Sequence, residues 1–262
     1  MNLDGKVAVV TGGAKGNGRG IVDVFVSRGV KVAILDYSEE LRNVINELAS
    51  KGHDVCGYKV DIRDKDKVDF FFIKIAERYG KIDILVNNAG VCYLETFEKT
   101  TDEIRDYHFD INIKGTWNVT KAVIPYMQKN RKGSIINLSS VTGPMVADTG
   151  EVAYATTKAA LIGFTKSLAM EYVNDNIRVN AILPGYIRTP MVDNMAKLTN
   201  KEDPLSVIHG IEQGIPMKRM GTIHELGNLA AFLASDDSSY MTGTEFVIDG
   251  GSTLPETNTM GV

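Results

Sequence analysis

The chain has 262 residues, 44% of them hydrophobic, enough to build a large buried core. Its net charge of −4 leaves no basic footprint for nucleic acid, and no apolar run approaches the ~20 residues of a membrane span. Two cysteines, Cys56 and Cys92, make no disulfide framework, and the opening residues lack a charged-then-apolar leader, so a reducing, cytoplasmic setting is expected.

Residues 7–10 form the first apolar run and read as a strand, followed by a helical pattern over 17–29. Strand-like runs recur at 32–35, 55–60 (the weakest), 82–86, 135–138, 179–183 and 246–248. Helical patterns separate them over 39–50, 65–79, 101–129, 152–174 and 223–234. The runs are apolar without alternation, as parallel strands covered on both faces require. This succession implies right-handed crossovers and an α/β fold, a Rossmann-type doubly wound parallel sheet of about seven strands. No Gly/Ser- or Pro-rich linker or repeat interrupts 1–262, so a single domain is expected. Residues 184–220 carry four of the seven prolines, which argues against one continuous helix and marks a candidate substrate lid.

The segment Thr11-Gly12-Gly13-Ala14-Lys15-Gly16-Asn17-Gly18 follows the first strand and opens a helix. Glycines let a backbone approach a pyrophosphate, and a helix N-terminus offers unpaired N–H groups to it. Asp36 ends the second strand, 18 residues past Gly18, where a carboxylate can accept hydrogen bonds from ribose hydroxyls. The order strand, glycine loop, helix, strand, Asp carries the dinucleotide reading; a glycine cluster alone is an ordinary turn. No Gly-Lys-Ser/Thr follows the glycines, which excludes a P-loop. Asp36 favours NAD because a carboxylate repels a 2′-phosphate. Lys15 pulls toward NADP, which stays possible, or is a solvated loop residue.

Tyr154 and Lys158 lie four apart in a helical pattern and share one face. A phenol of pKa ~10 is a poor base at neutral pH, and a nearby ammonium or oxidised nicotinamide favours the phenolate. Tyr154 can then exchange a proton with an alcohol or ketone while hydride moves. The alternative is an exposed helix pair; position at the carboxyl edge of the sheet argues against it. Ser140 can hydrogen-bond the substrate oxygen, with Ser139 competing for that role. Asn112 stands inside 101–129, three residues before Gly115, which allows a local kink. It reads either as a satisfied helix Asn or as the anchor of a water reaching Lys158.

Thr11-Gly12-x-x-x-Gly16-x-Gly18, Asn87-Asn88-Ala89-Gly90, Asn112, Ser140, Tyr154-x-x-x-Lys158 and Pro184-Gly185 together resemble the short-chain dehydrogenase/reductase family, from Lys6 to Gly251. The resemblance implies a catalytic tetrad of Asn112, Ser140, Tyr154 and Lys158, with Lys158 also on the nicotinamide ribose. It implies Asp61 and Asn88 flanking the adenine beside Ala89 and Gly90, and Pro184, Gly185, Ile187 and Thr189 bordering the nicotinamide. It also implies helix-to-helix dimers and commonly a homotetramer. Two departures stand out: Asn17 replaces a usual Ile or Leu, and the loop between Ser140 and Tyr154 is one residue longer than in many relatives.

The expected pocket, Val91, Tyr93, Val141, Met145, Val146, Tyr186, Met191 and Met195, is mostly apolar, with Arg188 the nearest cation, and suits a secondary alcohol or ketone. Small residues Ala155, Ala159, Ala160 and Gly163 permit close helix approach, and the tail offers Leu254 and Met260 to an interface, or frays. A catalytically silent NAD(H)-binding regulator is the rival reading, disfavoured by the intact Ser140/Tyr154/Lys158 set. A metal-dependent hydrolase is disfavoured because His53, His108, His209 and His224 are scattered. Asn118-Val-Thr120 and Asn137-Leu-Ser139 match a glycosylation pattern by chance in a cytoplasmic chain.

Overall fold

The computed structural model describes residues 1–255, and Met260 of the tail lies outside them. The strands are β1 (Val7–Thr11), β2 (Lys31–Asp36), β3 (Val55–Lys59), β4 (Ile84–Asn87), β5 (Gly133–Leu138), β6 (Ile177–Pro184) and β7 (Glu245–Ile248). The α-helices are α1 (Gly16–Ser27), α2 (Leu41–Ser50), α3 (Lys65–Tyr79), α4 (Asp102–Phe109), α5 (Thr116–Asn130), α6 (Val152–Tyr172), α7 (Pro190–Thr199), α8 (Pro204–Gly214) and α9 (Ile223–Ala234). Strands pair in the order β3-β2-β1-β4-β5-β6-β7, all parallel. The chain reverses direction across the sheet between β1 and β4, and a crevice opens there beyond the strand ends.

Both faces of the strands are covered, which is why their sequences do not alternate. Ala8, Val10, Ile34, Ile84 and Val86 pack into one cluster with Ile21, Phe25, Leu226 and Leu233 of α1 and α9. The intervening Val9, Ala33, Leu35 and Leu85 pack on the other face with Phe72, Val119, Val123 and Met127 of α3 and α5. Successive side chains of a strand point to opposite faces, so a single unbroken run of Val and Ile serves two helical layers.

Two expectations change. The pattern over 101–129 is not one α-helix: α4 passes through a π-helical stretch, Asp110–Gly115, before α5. Gly115 packs so closely under Ile62 that a Cβ would stand 2.6 Å from its side chain, and π insertions of this kind favour functional sites. Within 184–220 the prolines start helices instead of merely breaking one. Pro190 and Pro204 occupy first-turn positions of α7 and α8, where a missing N–H costs nothing, behind Thr189 and Asp203 as capping residues.

Candidate active site

The glycine loop lies at the β1 end of the crevice, clamped from β4. Asn88 Nδ2 donates to the carbonyls of Thr11 and Gly12, both at 3.0 Å. Thr11 Oγ1 accepts in return from the N–H groups of Asn88 (3.0 Å) and Ala89 (3.1 Å). Gly12 adopts φ +64°, and a Cβ on Gly18 would stand 2.1 Å from the Gly12 carbonyl oxygen and 2.4 Å from Asn88 Nδ2. The first turn of α1 has no acidic residue, so its N–H groups and positive dipole end stay available to an anion. Asn17 Oδ1 is buried there without a partner. A cradle only glycine can line, a free helix N-terminus and an orphaned acceptor fit the residues to a dinucleotide.

Asp36 closes the same cradle. Its Oδ2 accepts from Ala14 N–H and its Oδ1 from Ser38 N–H, both at 2.8 Å, which orients the carboxylate at the tip of β2. Lys15, the residue just before α1, pairs with Glu40 at 3.0 Å, both side chains being exposed. Asp61 is tied to Arg63, Oδ2 to Nη2 at 2.6 Å, and the guanidinium holds its carboxyl below the usual carboxylate range.

Across the crevice, Pro184 ends β6, and Gly185 donates its N–H to Ile248 at 3.0 Å. Ile187 is buried and bridges Gly221. Thr189 caps α7, and its Cγ2 lies 3.7 Å from where a Cβ on Gly16 would stand, so the 184–220 excursion springs from beside the glycine loop.

The loop after β4 is held by the α4–π–α5 rod. Asn112 Oδ1 accepts from Val91 N–H at 2.8 Å, and its Nδ2 donates to the Val91 carbonyl at 3.0 Å and to Thr157 Oγ1 at 2.9 Å. Its main-chain carbonyl accepts from Thr116 Oγ1 at 2.9 Å. Every side-chain atom able to bond is therefore engaged with protein. His108, fully buried one turn earlier, accepts from Tyr93 N–H at Nε2 (3.0 Å), while Nδ1 lies 2.8 Å from the Ile104 carbonyl. With Nε2 accepting, Nδ1 is the nitrogen that donates to the Ile104 carbonyl. A Cβ on Gly90 would stand 3.1 Å from Asn112 Oδ1 and 3.6 Å from Lys158 Nζ, so this loop links the glycine cradle to the amine.

Ser139 and Ser140 part company at the end of β5. Ser139 Oγ is buried and donates to the Lys158 carbonyl at 2.8 Å. Ser140 Oγ accepts from Thr142 N–H at 3.1 Å, and its hydroxyl favours the ionised form of the Tyr154 phenol. Lys158 is buried, donates from Nζ to the Leu138 carbonyl at 2.8 Å, and stands 5.5 Å from the centre of the Tyr154 ring. Burial pushes the phenol up to about 12, against the pull of the Ser140 hydroxyl, with Cys92 and Glu151 adding to the rise. Burial likewise holds the Lys158 amine down to about 8. Desolvation thus dominates at the phenol, and Nζ stands over its ring.

Of the expected pocket residues, Val141 is buried, Val91 and Met195 are half-buried, and Tyr93, Met145, Val146, Tyr186 and Met191 are exposed. Arg188 is spent on Asp193 at 2.6 Å. Sequence reasoning missed His108, Thr157, Cys92 and Glu151. Only His108, four residues before Asn112, left a signal, a second polar residue on one helical face. Among the described residues no group of His, Cys, Asp and Glu could hold a metal, and no helix is long and apolar enough to cross a membrane.

A family model described as "Enoyl-(Acyl carrier protein) reductase" matches residues 12–253. The chain belongs to the short-chain dehydrogenase/reductase family of oxidoreductases. It is similar to the oxidoreductase UcpA of Salmonella typhimurium, 53% identical over 260 residues, covering 99% of each chain. It is also similar to the 3-oxoacyl-[acyl-carrier-protein] reductase FabG of Thermotoga maritima, 40% identical over 96% of this chain and 99% of the relative. Among solved structures, L-sorbose reductase from Gluconobacter frateurii, complexed with NADPH and L-sorbose, superposes with a TM-score of 0.93 at 32% identity, over 97% of this chain and 100% of that one.

Proposed function

We propose that this oxidoreductase interconverts a secondary alcohol and a ketone, using a nicotinamide dinucleotide and Tyr154 as the acid/base. One observation carries the reading. Asn88 is bonded to the glycine loop, and Gly90, two residues on, abuts Lys158 Nζ. The dinucleotide cradle and the Tyr154/Lys158 pair are thereby rigid neighbours. When bound, the dinucleotide supplies the hydride donor or acceptor and, oxidised, a positive ring charge.

This chain's residues do the rest. Gly12, Gly16 and Gly18 admit the pyrophosphate to the α1 N-terminus, with Lys15 and Asn17 beside it, and Asp36 takes the adenosine ribose. Asp61, Asn88, Ala89 and Gly90 border the adenine side; Pro184, Gly185, Ile187 and Thr189 border the nicotinamide. Ser140 hydrogen-bonds the substrate oxygen, and Tyr154 gives or takes its proton. Lys158 lies mainly as the ammonium at pH 7, given its value of about 8. It opposes the desolvation that otherwise keeps the phenol protonated. Asn112 acts as a positioning residue, through Val91 and Thr157.

NAD is the preferred cofactor. Asp36 stands where a 2′-phosphate would be repelled, and the charge of Lys15 is already engaged by Glu40. The L-sorbose reductase that resembles this chain carries NADPH, which keeps NADP as the outcome to exclude. Residues 184–220 act as the lid within a single cytoplasmic domain. The chain self-associates as a homodimer or homotetramer through α5 and α6. Trp117, Ile124, Phe164 and Leu168 line an apolar groove of about 730 Å³ there, beside the exposed Ala160 and Gly163. Calorimetric titration with NAD, NADH, NADP and NADPH, then a panel of alcohols and ketones, tests the reading. Tighter binding of the unphosphorylated forms and turnover of at least one alcohol are expected; absence of both refutes it.

A further inference from the structure

Glu151 has no part in the reaction described above, yet its carboxylate belongs to the same space. It directly precedes α6, three residues before Tyr154, and so lies on the tyrosine's side of the first turn. It stands at the N-cap position but makes no capping hydrogen bond, so the helix end does not use its carboxylate. Its Oε2 is buried with no hydrogen-bond partner. The charge of Glu151 is felt by Tyr154, by Cys92 of the loop after β4 and by Tyr186 after β6. Three separate segments therefore lie near the carboxylate.

A buried acceptor without a donor is costly unless something arrives to satisfy it. The available groups specify what can. Asp148 adds a second negative charge beside Glu151 and Tyr186. Arg188 is engaged by Asp193, and Lys158 by the Leu138 carbonyl. An anionic substrate, such as a hydroxy acid, meets the repulsion of two carboxylates here. An acyl chain leaves Oε2 unsatisfied. Burial and Asp148 both raise the proton affinity of Glu151. A neutral hydroxyl gives the unpartnered oxygen its donor and, unlike an ammonium, can also accept.

We propose that Glu151 is the specificity-determining residue of this pocket, its buried oxygen accepting a hydrogen bond from a second, non-reacting hydroxyl of a neutral sugar or polyol. The assignment rests on the alcohol–ketone reading above and narrows its substrate class.

The test compares kcat/KM for polyols and ketoses of four to six carbons with that for secondary alkanols and ketones of equal length, each with NAD(H) and NADP(H). The wild-type chain is expected to favour the polyhydroxy arm. Glu151→Leu is expected to lower the polyol-to-alkanol ratio about 10–100-fold, mainly through KM for the polyol. Glu151→Gln, which keeps an acceptor oxygen, is expected to recover part of it. Dinucleotide binding by calorimetry reports folding; should the Leu variant not fold, Glu151→Asp, which withdraws the oxygen by one methylene, is read by the same ratio. Equal ratios in wild type and variant, or wild-type preference for alkanols or hydroxy acids, overturn the assignment while alcohol oxidation stands. No turnover in any arm overturns both.

Discussion

Asn112 grips Val91 by both of its peptide groups, accepting from the N–H at 2.8 Å and donating to the carbonyl at 3.0 Å. The same amide donates to Thr157, one residue before Lys158, so one side chain from the π-helical stretch sets the spacing between the β4 loop and α6. Asn112→Ala leaves Val91 N–H, the Val91 carbonyl and Thr157 to find other partners. A loss of about 1–3 kcal/mol in unfolding free energy is expected, with a larger fall in kcat than in cofactor affinity. Denaturant melts and steady-state kinetics on the same preparation read both; unchanged stability with unchanged kcat contradicts the role.

His108 supports the next residues of that loop. His108→Ala strips Tyr93 N–H of its acceptor and opens a cavity in place of a fully buried ring. A destabilisation of about 2–4 kcal/mol is expected in a urea titration. His108→Gln, which can supply an acceptor, should lose less; equal losses would mean that packing alone is involved.

The glycine cradle is tested by Gly18→Ala. The added methyl would stand 2.1 Å from the Gly12 carbonyl oxygen, a distance that only backbone movement relieves. Cofactor affinity is expected to fall at least about tenfold by calorimetry, since the displaced loop no longer presents its N–H groups. Undiminished affinity would place the dinucleotide elsewhere.

Lys158 gives the protein a pH signature of its own. Its amine is held at about 8 against an ordinary 10.5, because burial disfavours the charged form. Between those values the unfolded chain binds a proton that the folded chain does not, so stability rises with pH across the window. The contribution is complete above about 10.5 and is lost as pH falls through about 8. Relative to Lys158→Met, the cofactor-free wild type should gain up to about 3 kcal/mol over that span. Guanidinium unfolding of both proteins at stepped pH measures it, and a flat difference rules it out.

Assembly is read from the α5/α6 groove, where the Trp117 and Phe164 ring centres lie 5.3 Å apart. Phe164→Glu puts a charge where an apolar partner face is expected. Sedimentation should show wild-type dimers or tetramers and a largely monomeric variant; identical distributions would put the interface elsewhere.

The sequence displayed the parts of this molecule whose chemistry is local. Unbroken Val and Ile runs announced parallel strands because both faces are covered, and the glycine spacing announced the cradle because only missing side chains fit it. The π-helical stretch stayed hidden because its hydrophobic pattern continues that of a long helix; the close packing of Gly115 under Ile62 comes from a residue 53 positions away. The helices of 184–220 stayed hidden because Pro190 and Pro204 read as breakers until their first-turn positions are known. Cys92 gave no spacing signal at all, since what draws it to Tyr154 is the meeting of α6 with the β4 loop, and the unpartnered oxygen of Glu151 emerges only in the folded chain.

The central assignment, Tyr154 as the group that moves the proton, is tested most directly by Tyr154→Phe. The ring and its packing survive the change, and only the hydroxyl beside Ser140 is removed. Dinucleotide affinity measured by calorimetry is expected to stay within about threefold, while kcat falls by at least about 10²–10⁴-fold on any substrate the wild type accepts. Turnover retained in Tyr154→Phe would contradict it.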